Sequence, residues 1–106
     1  MEYLIYHTAT FDTKLKKYTL DFQNWLDHIE DQLILQPYVG DPIRVPWFRE
    51  KKKGKIRVYY LIYESLGIVY LVDISEKKDQ QKIINTIWAL LDGFYEEVEG
   101  FKKNSI

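Results

Sequence analysis

The segment Trp47–Arg57, WFREKKKGKIR, sets six cations and one acid directly ahead of the apolar run IRVYYLIY. Gly54 divides it into two strand-like runs, and side-chain direction along a strand alternates with a period of two. Alternation puts Arg49, Lys51 and Lys53 on one face, lining three positive charges along a single ribbon. Their mutual repulsion is costly unless a polyanion neutralises it. The segment therefore predicts a phosphate-handling surface, with RNA as the first candidate.

The turn at Gly54 decides whether those charges form one site. A two-residue turn at Lys53-Gly54 pairs Glu50 with Arg57 and sends Arg57 to the face opposite Arg49. A three-residue loop, Lys53–Lys55, pairs Lys51 with Arg57 and unites Arg49, Lys51, Lys53 and Arg57. It also gathers Phe48, Ile56, Val58, Tyr60 and Ile62 on the other face, which suits a helix-covered core, with Glu50 as the misfit. The three-residue loop is the preferred expectation.

Charge along the chain is segregated. The net charge of −1 conceals −4 over residues 1–43, +6 over residues 44–57 and −3 over residues 58–106. A localised basic segment can focus a phosphate backbone even where the whole chain, with a pI near 6.1, is not basic. At 106 residues the chain holds one domain, and 46% hydrophobic content excludes disorder. No apolar run approaches the roughly 18 residues of a membrane span, and the N-terminus lacks the cations of a signal peptide. With no cysteine and only His7 and His28 as imidazoles, thiolate chemistry is excluded and a structural zinc site is not expected. These features predict a cytoplasmic, metal-free, cofactor-free protein.

Periodicity supplies the element order. Tyr3–His7 reads as a short strand, and Asp12 opens a first helix through Tyr18, which Thr19 breaks. Phe22, Trp25, Leu26, Ile29 and Leu33 recur at helical spacing from Leu20 to Leu35. Gln36–Pro46 holds all three prolines and reads as a loop. Strands at Trp47–Lys52, Ile56–Tyr63 and Ile68–Ile74 form an antiparallel meander. A final helix runs from Asp79 to a stop at Gly100. Trp88 and Phe94 spread its apolar surface almost all round, which predicts burial against a partner. The expected fold class is α+β in two layers: strand, helical hairpin, three-strand meander and C-terminal helix.

Four segments in this order, FDTKLKKY (11–18), PYVGDPI (37–43), FREKKKGKIRVYYLIY (48–63) and ISEKKDQQ (74–81), carry a resemblance to the RelE/ParE superfamily of toxins. Members similarly show a basic helix start, an N-P-x-x-G-D-P-like loop and an F-R-x-x-R-x-G-x-x-R-V-x-Y strand pair. The resemblance covers about residues 3–85 and implies an N-terminal strand beside the last meander strand. It implies a toxin whose partner is a cognate antitoxin, acting without a metal. Many members cleave mRNA on the ribosome, whereas the ParE-like branch inhibits DNA gyrase.

For the nuclease branch, the resemblance implies that Arg49, Lys51, Lys53, Arg57 and Lys77 line the cleft, with Lys78 adjacent. Metal-free RNA cleavage uses the 2′-hydroxyl as nucleophile and needs cations on the phosphorane. Arg57, permanently charged and forked, suits that role best, followed by Arg49. Lys51 or Lys53, with a pKa lowered by neighbouring cations, is a candidate general base. Glu76, where some relatives carry histidine, is another. Lys52, Lys55, Lys78, Gln81 and Tyr59 are the expected flanking RNA contacts. Gln81 stands where many nuclease relatives carry tyrosine, and it cannot transfer a proton.

Plainer readings stand beside these. Lysines guard edge strands against aggregation; Lys14, Lys16 and Lys17 read as helix surface; His7 and His28 read as structural or solvent-facing. A non-nuclease member, either a gyrase inhibitor or a protein that only binds its antitoxin, is the alternative function. A homodimer through Ile84–Phe101 is a third reading.

Overall fold

In the computed structural model, which describes residues 1–104, two Thr-x-x-Phe steps start the helical hairpin. Helix α1 (Ala9–Leu15) is capped by Thr8, whose hydroxyl accepts the Phe11 N–H at 3.0 Å. Helix α2 (Leu20–Leu35) is capped by Thr19, which accepts the Phe22 N–H at 3.2 Å. Each cap satisfies one orphan donor, worth about 1 kcal/mol, and each places a buried phenylalanine in the first turn. Thr8 rather than Asp12 therefore starts α1, and Thr19 ends the first helix by capping the second. The last two residues of the expected 1–106 domain lie outside the described residues.

Five strands follow the order β1-β5-β4-β3-β2. They are β1 (Leu4–His7), β2 (Asp41–Ile43), β3 (Val45–Lys53), β4 (Ile56–Tyr63) and β5 (Ile68–Glu76). β1 lies beside β5, as the resemblance implied, but runs parallel to it; the other pairings are antiparallel, so the sheet is mixed where an antiparallel one was expected. β2 lies inside the expected loop. It pairs with β3 through Asp41 opposite Glu50, then shifts register between Pro42 and Ile43; Arg44, which follows, adopts φ 65°.

The α+β class stands, with three layers in place of two. Along β4, Val58, Tyr60 and Ile62 point to one face and join Phe11, Phe22, Leu26, Ile29 and Leu33 of α1 and α2. Tyr59 and Leu61 point to the other and join Phe48, Tyr70, Ile84, Ile87 and Val98. A strand apolar on both sides needs cover on both sides. The second cover is a pair of helices, α3 (Gln80–Ala89) and α4 (Leu91–Asn104), where one helix over residues 79–100 was expected. Leu90 separates them with φ −102° and ψ 7°. The break swings α4 back over the sheet, so that Phe101 stacks on Tyr6 at 4.4 Å and meets Tyr70 edge-on at 5.5 Å. Trp88 stacks on Trp47 at 5.9 Å. Trp88 and Phe94, expected to face a partner, pack within the chain's own second core. Among the described residues no helix is long and apolar enough to cross a membrane.

His7 ties β1 to both helices of the hairpin. Nδ1 meets Asp12 Oδ1 at 2.8 Å, and Nε2 meets the Glu30 carboxylate. Burial alone would lower the imidazole pKa, but hydrogen bonds and charge from Glu30 and Asp12 outweigh it and raise the pKa above 6.5. A raised folded-state pKa gives stabilisation that is complete below the unfolded value and lost as pH rises through the folded one. Urea denaturation of wild type and His7→Gln should therefore show a stability gap at pH 5.5 that narrows by pH 9. An equal gap at both pH values would contradict this linkage.

Candidate nucleic-acid site at the turn end of the sheet

The β3–β4 turn is two residues long and consists of Gly54 and Lys55, with Gly54 at φ 58°. Glycine adopts positive φ without the steric cost other residues meet, and it favours the first central position of a type II′ hairpin. Lys53 then stands opposite Ile56, Lys52 opposite Arg57 and Glu50 opposite Tyr59. This corrects the expected three-residue loop. Arg49, Lys51 and Lys53 share the α1–α2 face with Val58 and Tyr60, while Arg57 lies on the α3–α4 face with Lys52 and Glu50.

Of the cations on the α1–α2 face, Arg49 and Lys53 are engaged within the fold. Arg49 donates from Nη1 to the Gly40 carbonyl at 2.6 Å and from Nε to the Pro46 carbonyl at 2.8 Å. Its guanidinium also lies 5.1 Å from the centre of the Tyr38 ring. From the next strand, the Tyr60 hydroxyl donates to the Pro37 carbonyl at 2.7 Å and accepts the Gly40 N–H at 3.0 Å. Burial pushes the Tyr60 phenol up to about 12, so it remains a donor. Arg49 and Tyr60 thus pin residues 37–40 against the sheet. Lys53 stands over the Trp25 ring at 5.8 Å, and Lys51 is half-buried beside Gly40.

On the α3–α4 face two cross-strand rows meet at the turn. The outer row is Lys52, Arg57 and Ser75; the inner row contains Glu50 and Tyr59. Arg57 is only 7% exposed. Its Nη1 donates to the Gly54 carbonyl at 2.8 Å and the Ile56 carbonyl at 3.3 Å. Its Nε is buried with no acceptor among the described residues. Glu50, also buried, accepts from Gln80 Nε2 at 2.7 Å and lies 3.6 Å from Lys52 Nζ. Lys52 also reaches Asp41 at 3.3 Å. Tyr59 is fully enclosed and bonds Ser75 Oγ at 2.8 Å, and burial raises its phenol pKa.

Beyond the turn, Lys55, Glu76, Lys77 and Lys78 line an open cleft of about 540 Å³. The Lys77 N–H donates to the Lys55 carbonyl at 2.7 Å, which fixes the β5 end against the turn. Lys78 Nζ lies 3.5 Å from Glu76. Gln81 is exposed on α3 and donates to Asn85 at 3.0 Å; its neighbour Gln80 is the one that reaches the sheet. The structure therefore brings Lys52 and Arg57 together on one face and Lys55, Glu76, Lys77 and Lys78 together at the sheet end.

No family model matches the sequence, and a search of the curated proteins finds no match. Solved structures do match. The free E. coli toxin RelE, in a mutant form, superposes with a TM-score of 0.68 at 12% identity, covering 76% of this chain and 90% of its own. The RelBE2 toxin–antitoxin complex of Mycobacterium tuberculosis gives 0.63 at 20% identity, covering 72% and 99%. The RelE–RelB complex from Pyrococcus horikoshii gives 0.57 at 12% identity, covering 72% and 96%. This chain has the RelE fold. At these identities the likeness fixes how the RelE-like sheet and helices are arranged.

Three residues of this site were not among the expected ones: Glu50, Ser75 and Gln80. Glu50 did carry a signal, as the one acid within the basic ribbon. Gln80 carried none, because its role depends on where α3 crosses the sheet.

Arg49→Ala should remove the donors to Gly40 and Pro46 and loosen the 37–40 loop. A loss of about 1–3 kcal/mol in urea unfolding is expected from two orphaned carbonyl acceptors. Arg49→Lys should recover only part of it, because an ammonium cannot span both carbonyls as a guanidinium does.

Proposed function

We propose that the protein is the toxin of a toxin–antitoxin pair and cleaves mRNA on the ribosome through attack by the RNA 2′-hydroxyl. The observation that carries this reading is the buried Arg57 guanidinium with its unpartnered Nε. An unsatisfied buried donor costs about 1–3 kcal/mol, and a phosphate oxygen would satisfy it with a charge-assisted bond. The RelE fold supports the toxin role and a protein antitoxin as partner.

Cleavage forms a bond from the 2′-oxygen to the adjacent phosphorus and breaks the bond to the 5′-oxygen. A base removes the 2′-hydroxyl proton, and the departing 5′-oxygen takes one up. Arg57 holds a non-bridging oxygen, with Lys52 across the strand adding charge. Glu76, half exposed in the turn-end cleft, takes the role of base in this reading. Lys77 and Lys78 in the same cleft counter the phosphorane charge, with Lys77 placed to protonate the leaving oxygen. Arg49 contributes through the 37–40 loop it braces.

A second reading, a non-nuclease protein that inhibits gyrase or only binds its antitoxin, is favoured by the diversion of Arg49 to loop carbonyls and of Gln81 to Asn85. A reconstituted translation reaction separates the two. Wild-type protein should cut mRNA only when ribosomes are present, and Arg57→Ala should lower the rate by roughly 100-fold, the effect typical of losing one positioned oxyanion donor. Circular dichroism melting of the variant checks that it is folded. Intact mRNA with saturating wild-type protein would establish the second reading, and a wild-type rate in folded Arg57→Ala would remove Arg57 from the chemistry.

A further inference from the structure

The basic cleft at the sheet end does not stop at Lys78. Past the end of β1 at His7, β5 runs on to Glu76, and α1 lies along that part of its edge. There, between α1 and α3, a second cleft of about 430 Å³ is lined by Lys14, Lys17, Lys78 and Lys82, with Tyr18 at its wall. Lys78 and Glu76 line both clefts, so the two adjoin. Together they bring six lysines to one bent trough: three from the turn and the β5 end, Lys14 from α1, Lys17 from the turn after it and Lys82 from α3. The acids in its lining are Glu76 and Asp79.

Lys14 is held at the floor by Asp73 at 2.6 Å and the Ile74 carbonyl at 3.4 Å. Among the described residues no salt bridge reaches Lys17, Lys55, Lys77 or Lys82. The excess is local, because the whole chain carries a net charge of −1. Like charges held along one groove repel, and a polyanion that follows the groove relieves this while releasing its counterions.

We propose that this trough is a binding track for single-stranded RNA, leading from the turn-end cleft over the β5 edge to the α1–α3 gap. A flexible phosphodiester chain can follow the bend from one cleft into the other. An acidic amphipathic helix is straight and needs an apolar seat, and here the hydrophobic side chains beside Tyr18 are Ile74 and Ile83. The track shares Lys55, Lys77 and Lys78 with the function proposed above but requires binding alone.

The test is fluorescence anisotropy with a 12-nucleotide 2′-O-methyl RNA, which cannot be cleaved by 2′-hydroxyl attack. Lys17→Glu/Lys82→Glu should bind at least tenfold more weakly than wild type. Lys17→Ala/Lys82→Ala should lower the slope of log affinity against log salt by about 1.4, from roughly 0.7 per phosphate contact on a single strand. A Lys103→Glu control, on α4, should bind as wild type does. Equal weakening by Lys103→Glu, or unchanged binding in the folded Lys17/Lys82 variants, would overturn the track. An acidic peptide of equal charge that competes with the RNA at equal concentration would also overturn it, in favour of a protein partner. Tight trough-dependent binding without any cleavage of natural mRNA would retire the nuclease reading and leave the track standing.

Discussion

Gly54 and Lys55 form the shortest link that lets β3 reverse into β4, and each side chain of those strands takes its face from that link. With Lys53 opposite Ile56, parity sends Arg49, Lys51 and Lys53 to the α1–α2 side and Lys52, Arg57 and Glu50 to the α3–α4 side. One further residue in the turn would exchange the faces of one strand relative to the other. Both faces are buried against helices, so such a slip would drive Tyr59 and Leu61 against the wrong layer. The glycine thus fixes the packing of two cores as well as the place of each charge.

Burial on both faces pushes the polar chemistry to the end of the sheet. Around its middle, Tyr60, Tyr70 and Leu61 are enclosed. Toward the turn the inner row turns polar, with Glu50 under Gln80 and Tyr59 against Ser75, before charged residues take over at Arg57 and Lys52. Each of these groups except Arg57 Nε has a partner among the described residues, so the gradient from dry to wet is crossed at little cost. The one unsatisfied donor among them, Arg57 Nε, is buried just inside that boundary.

Much of the architecture was legible in the sequence, because α2 and the meander have clean periods. Leu20–Leu35 and Ile56–Tyr63 are bounded as the apolar spacing and the glycines indicate. The third layer was less legible, although IRVYYLIY carried the clue: a run with no polar face cannot border water on either side. The break at Leu90 left no mark, since neither glycine nor proline sits there and the bend answers to tertiary packing of Phe94 and Phe101. For the site, the residue types were legible and their faces were not. Glycine followed by lysine permits loops of either parity, and only pairing across the whole sheet selects one. The nearness of Lys14, Lys17 and Lys82 was hidden for a related reason, because the segments that carry them are far apart in sequence and come together beside the β5 edge.

The parallel pairing of β1 with β5 also bears on the order in which the chain becomes a protein. As the polypeptide is synthesised, β1 and the helical hairpin appear first, yet the strand they rest on is the last of the sheet. Until residues 68–76 have emerged, Phe11, Phe22 and Leu26 have no complete surface to cover, and closing so long a loop must await that strand. β1 and the helical hairpin therefore lack the strand they rest on until β5 is made, and the first core cannot close before it.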